Sequence, residues 1–220
     1  MKQLLYLAIT LLLSLKLYSQ EYKYDSRPQL LKEYGETLLK SDQISKFDLL
    51  QALEMSGITI NKYSLGEFNK KHKFLVLLDE FKEGKNIKSD TLINSSNEYT
   101  HFERGKEGYF KAYIDQIKIF TQVKDTSFTL RVNTYAMSSS KKINYKKYDK
   151  ESFYNIRSYV DTKWKLNKKQ PLLVYASSWK DKKWGFQRFC GVSELKEDDE
   201  NSNELLTSSP HYYMISYIIK

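Results

Sequence analysis

The run QIKIFTQVKDTSFTLRVN, residues 116–133, has the least ambiguous pattern in this chain. On its first limb Ile117, Ile119 and Val123 share one side, while Gln116, Lys118 and Gln122 take the other and Phe120 is the exception. On its second limb Phe128, Leu130 and Val132, with Ala136 beyond them, alternate against Thr129, Arg131 and Asn133. Period-two alternation in neighbouring runs predicts strands with one buried face. Lys124, Asp125, Thr126 and Ser127 make a polar turn of hairpin length. Pairing Val123 with Phe128 puts both apolar sides on one face of a sheet. The wider stretch Tyr109–Met137 is therefore expected to form the centre of the fold.

Length and composition frame that hairpin. A chain of 220 residues suits one domain or one domain with a small appendage. Such a domain buries roughly 70% of the surface that its unfolded chain exposes, so neither a metal nor a disulfide is needed for stability. The 18 Tyr against 3 Pro and 8 Gly point to an ordered, sheet-rich body. High Lys, Asn, Ile and Tyr usage is also what an AT-rich bacterial genome produces, so part of the basic excess reflects codon usage.

The amino terminus carries an address. Lys2 gives a positive start, Leu4 to Leu15 is an almost unbroken apolar run, and Tyr18, Ser19 and Gln20 offer a cleavage site. This is the layout of a secretory signal peptide, here 1–19, followed by a single domain at 20–220. The apolar run is short for a bilayer span, and no Cys follows it to carry a lipid anchor. The expected product is exported to the periplasm or exterior, with no transmembrane anchor in the mature chain. Cleavage removes Lys2 and Lys16, leaving 34 basic and 27 acidic side chains, a net charge of +7. A single Cys makes no internal disulfide.

Beyond the leader, Ser26 and Pro28 open a helix at about 27–40, where Leu30, Leu31, Tyr34 and Leu38 recur at helical spacing. A second helix begins at Ser45 and ends before Gly57, placed as a left-handed cap. Strands are expected at Phe74–Leu78, around Thr91–Ile93 and at Glu98–Phe102, with a turn at Lys82–Lys85. Asp149 reads as the start of a third helix, because Phe153, Ile156, Val160 and Trp164 form one apolar stripe. A second hairpin should run from Leu172 to Trp179, turn at Lys180–Lys183 and return from Trp184 to Cys190, setting Trp179 opposite Trp184. Glu194–Glu204 reads as an exposed acidic loop, and Tyr212–Ile219 as the last strand. The predicted class is α+β: a predominantly antiparallel sheet, sandwich-like or strongly curved, with two short N-terminal helices and one helix packed on the sheet between hairpins.

Chemistry-bearing residues are few. Of three histidines, His72 lies in a basic loop, while His101 and Glu103 share a strand face at ligand spacing and His211 enters the last strand. HExxH, paired CxxC, an EF-hand loop and phosphate-binding glycine patterns are absent, so no cofactor or metal is expected. Cys190 shows no neighbour that would activate a thiol. Asp79, Glu80, Glu98 and Glu103 could supply a glycosidase pair only through three-dimensional proximity. The remaining feature is charge among rings. Lys141–Arg188 holds 14 Lys/Arg against 4 Asp/Glu, together with Trp164, Trp179 and Trp184. Cations steer and pair with an anionic polymer and rings stack on it. The candidate ligand-binding residues are Lys180, Lys182, Lys183, Trp179, Trp184 and Arg188, with the two tryptophans expected to be partly buried and mainly structural. An exported binding module follows, with an anionic polysaccharide or another envelope protein as partner and no nucleic acid expected. The alternative is a small secreted hydrolase whose site assembles only in three dimensions.

Overall fold

A computed structural model describes residues 46–102, 108–124, 126–145, 147 and 149–220. Of the described residues, Leu53–Lys220 belong to one compact unit. In chain order the first elements are α1 (Lys46–Met55), β1 (Ile58–Ser64), β2 (Lys73–Lys82), β3 (Lys85–Ser96), β4 (Glu98–Phe102) and β5 (Tyr109–Tyr113). Next come β6 (Gln116–Lys124), β7 (Ser127–Asn133), β8 (Ser138–Asn144), β9 (Tyr154–Tyr159) and β10 (Lys169–Ser177). The chain closes with β11 (Trp179–Lys180), β12 (Gln187–Arg188), β13 (Glu194–Leu195), α2 (Glu200–Ser208) and β14 (His211–Ile219).

Strands dominate, so the protein is sheet-rich α+β. One sheet has the order β1-β6-β7-β8, and the larger has β13-β9-β10-β14-β2-β3. Neighbours are antiparallel except β13 beside β9. The β6–β7 hairpin has the expected register, Val123 opposite Phe128, and its alternation buries Ile117, Ile119, Phe128, Leu130 and Val132. These side chains share one core with Phe74, Val76, Leu173, Tyr175, Ile215 and Tyr217 of the larger sheet. Phe128 stacks on Tyr175 at 4.4 Å and 14°. The hairpin is the middle of the smaller sheet only. The most continuously buried strands are β10 and β14, side by side in the larger one. Tyr109–Tyr113, read as part of the centre, instead pairs with β4 in a separate two-stranded ribbon.

The opposite face of the larger sheet has its own cluster: Tyr159, Val174, Ala176, Leu195, Leu205 and Tyr212. Leu205 comes from α2, whose N-cap Asp199 accepts the Asn201 N–H. A helix therefore lies where the acidic loop was expected. Its inward side is Ser202 and Leu205, with Leu206 half-buried beside them, too narrow a stripe to stand out among Asn, Ser and Glu.

The converse holds at 149–164. Asp149 Oδ1 does accept the Glu151 and Ser152 N–H groups, as a helix start would, but the turn is not propagated. Phe153 donates to Ser178 Oγ, and Tyr154–Tyr159 pairs with β10 as a strand. The three-four-four spacing of its apolar residues coincided with a period-two pattern in which Tyr154 and Ile156 pack into the shared core and Tyr159 joins the other cluster. The helix packed on the sheet is α2 instead.

Among the N-terminal expectations, 27–40 and the leader at 1–19 lie outside the described residues. α1 occupies the second position, and Gly57 follows it at φ +69°. A Cβ there would meet the Val123 carbonyl oxygen at 2.7 Å, so glycine is required by conformation and space together. No helix among the described residues is long and apolar enough to cross a membrane.

Candidate functional site

The basic aromatic segment is built on a loop at the end of β10. β11 and β12 pair Trp179 with Arg188 and Lys180 with Gln187, so Trp179 does not face Trp184. The connection is wider than the expected four residues because Asp181 organises it. Its carboxylate accepts from the Lys183 and Trp184 N–H groups at 2.8 and 2.9 Å, and Gly185 donates to the Asp181 carbonyl. Those backbone donors, Trp184 first, and Arg188 beside it hold the Asp181 carboxyl below its usual pKa.

This arrangement splits the six predicted residues into two sets. Trp179 is half-buried beside Phe189, at 6.1 Å between ring centroids, and packs on the second cluster. Arg188 is engaged by Glu204 at 2.9 Å and by Asp181 at 3.6 Å. Both belong to the scaffold. Trp184, by contrast, is 67% exposed, against the expectation of partial burial, with Lys183 Nζ 4.8 Å from its ring centroid. Phe186 is exposed beside it in sequence, and Lys180 and Lys182 are open to solvent. Trp164, the third tryptophan, is spent on structure: it stacks on Phe68 at 4.9 Å and its indole N–H donates to the Glu67 carbonyl.

The catalytic candidates do not assemble as grouped. His101 sits between the rings of Tyr99 and Phe110, His72 lies beside Trp164, and Glu103 is outside the described residues. His211 belongs to a different constellation. Its Nδ1 lies 2.6 Å from the Tyr154 hydroxyl and its Nε2 3.0 Å from Glu80 Oε1, which also accepts from Tyr213 at 3.1 Å. Burial, with the Tyr145 and Glu80 charges added, raises the Tyr154 phenol above its ordinary range. Tyr213 shifts the same way for the same first cause.

This Tyr–His–Glu array escaped the sequence reading because its members come from β9, β14 and β2. Only strand order makes them neighbours. Both imidazole nitrogens are hydrogen-bonded within it. The other carboxylates are also engaged: Asp79 is fully buried and takes Lys169 and Ser89, and Glu98 pairs with Lys111. Cys190 is buried, its Sγ 3.8 Å from the Asn201 carbonyl oxygen. Among the described residues no group of three His, Cys, Asp or Glu side chains is arranged to hold a metal ion.

A family model described as "Domain of unknown function (DUF5041)" matches residues 31–220. None of the curated proteins and none of the solved structures compared with the chain matches it.

Proposed function

We propose that this chain, which belongs to the DUF5041 family, is an exported, non-enzymatic binding module for an anionic polysaccharide or another envelope ligand of that charge. The leader-like pattern of residues 1–19 supports the export. The observation that carries the binding is the open Trp184 indole with the Lys183 ammonium over its ring, among Lys180, Lys182 and Phe186. An exposed ring on a loop contributes little to folding, whereas a flat apolar face beside unpaired cations suits the ring faces and charges of an acidic glycan. Trp179 and Arg188 support the loop from below.

The alternative, a small secreted hydrolase, has the Glu80–His211–Tyr154 array in its favour. It would require one of the two partners of His211, the Tyr154 hydroxyl or the Glu80 carboxylate, to reach a substrate.

The test is Trp184→Ala combined with Lys183→Gln. Substitutions at such exposed positions change stability by about 0.5 kcal/mol or less. The variant should melt with the wild type yet leave a heparin column at lower salt. Retention equal to that of the wild type would remove the loop from the binding surface.

A further inference from the structure

The smaller sheet carries a second surface that the sequence reading passed over. No Asp or Glu occurs anywhere in β1, β6, β7 or β8, whereas Lys or Arg occurs in each of them. Alternation sends Ile117, Ile119, Leu130 and Val132 into the core, leaving the even positions of β6 and the odd positions of β7 toward solvent.

Register then maps that solvent face. One row reads Lys62, Lys118, Asn133, Ser138, and the next reads Ile60, Phe120, Arg131, Ser140. A third row reads Ile58, Gln122, Thr129, Lys142. Lys118, Arg131 and Lys142 thus step one strand and one row at a time along a diagonal. Strand separation and residue rise put successive cations roughly 8 Å apart at the backbone. None of the three, nor Lys62, makes an ion pair among the described residues.

Two details set this face apart from an ordinary solvated one. Lys62 stands directly across from Lys118, a like-charge cross-strand pair that costs the sheet stability. Arg131 is pre-positioned, its Nε donating to Asn133 Oδ1 at 3.1 Å and Ser138 Oγ at 3.2 Å, which leaves both terminal nitrogens for a ligand. At the end of the track Phe120, Tyr135, Gln116 and Lys118 line a shallow cleft of about 200 Å3. Tyr135 is 67% exposed there.

The geometry points to a linear acidic polysaccharide lying diagonally across this face. Its carboxylates or sulfates would meet Lys118, Arg131 and Lys142, its hydroxyls the intervening amides and hydroxyls, and one sugar ring the Tyr135–Phe120 cleft. Charge complementarity selects an anion. The alternation of cations with neutral hydrogen-bonding groups favours a sugar chain over a phosphodiester backbone, and the few apolar side chains argue against a bilayer. The inference shares the ligand class proposed above but rests on different residues.

The test uses the whole exported chain with oligogalacturonate, a maltooligosaccharide of matching length and an oligothymidylate, measured by calorimetry at two salt concentrations. For Lys118→Gln/Arg131→Gln/Lys142→Gln, oligogalacturonate binding should weaken about tenfold, since each exposed ion pair contributes a fraction of a kcal/mol. The melting temperature should hold or rise as the Lys62–Lys118 repulsion is removed. Arg131→Lys should retain more binding than Arg131→Gln. Unchanged affinity in the triple variant would overturn the assignment, and if Trp184→Ala alone then abolished binding, the loop reading would survive without it. Equal wild-type affinity for the maltooligosaccharide would also overturn it. So would tighter binding of oligothymidylate lost in the same variant, which would hand the face to nucleic acid.

Discussion

At His211 both ring nitrogens find partners, Tyr154 at Nδ1 and Glu80 at Nε2. His211→Ala strips partners from both at a site only 13% exposed on the histidine side, and should cost about 1–3 kcal/mol in urea denaturation. Tyr154→Phe removes one hydrogen bond and should cost about 1 kcal/mol. Losses near zero for both would show the array to be dispensable for folding and would revive a catalytic reading of it. Gly57 shows what a sequence can disclose at this scale. Its place after a helical run announced a left-handed cap, and φ +69° is the result. His211 had no such local cue, because Glu80 lies 131 residues away and Tyr154 57.

Elements were legible where one period had no rival. β6 and β7 alternate cleanly and their register followed from the length of the turn. β9 has a rival period because Ile156 also belongs to a helical stripe whose other members, Phe153, Val160 and Trp164, lie outside the strand, and the deciding partner, β10, lies beyond the segment. α2 was missed because its buried side is narrow, although Asp199 supplies a cap that can be measured. Asp199→Ala should cost about 1 kcal/mol and loosen α2 from Tyr159 and Tyr212.

A link between the sheets is also testable at this scale. Asp90 on β3 binds Lys141 on β8, and that hydrogen bond, ahead of the lysine charges, lowers the Asp90 pKa. A depressed carboxylate stabilises the fold above its unfolded pKa and loses that contribution as pH falls through the folded value. The Asp90 contribution should therefore vanish in acid, below the ordinary aspartate range. The pair is about one-third exposed, so Asp90→Asn should cost under about 1 kcal/mol at neutral pH and nothing at low pH.

For the molecule as a whole, tyrosine governs the alkaline limit. Burial raises Tyr63 and Tyr159 to about 12, and Tyr154, Tyr175, Tyr213 and Tyr217 are raised as well. A raised pKa contributes stability in full below the unfolded value near 10, and that contribution is lost as pH climbs toward the folded value. Stability should fall between pH 10 and about 12, with these phenols ionising together with unfolding when followed by absorbance at 295 nm. Phenols that ionise smoothly near 10 while the fold persists would contradict their burial. Composition already hinted at a tyrosine-rich body, but which rings are interior depends on two sheets meeting, and no single segment records that.

The opposed lysines on β1 and β6 give ionic strength two contrary jobs. Added salt would weaken the hold of Lys118 on the polyanion proposed for this face, and the same screening relaxes the Lys62–Lys118 repulsion by some fraction of the roughly 0.2–1 kcal/mol such pairs involve. If the face binds as proposed, brine that releases the polyanion should at the same time ease this one repulsion. Lys62→Gln should therefore remove the salt-dependent gain in melting temperature that this pair supplies to the wild type.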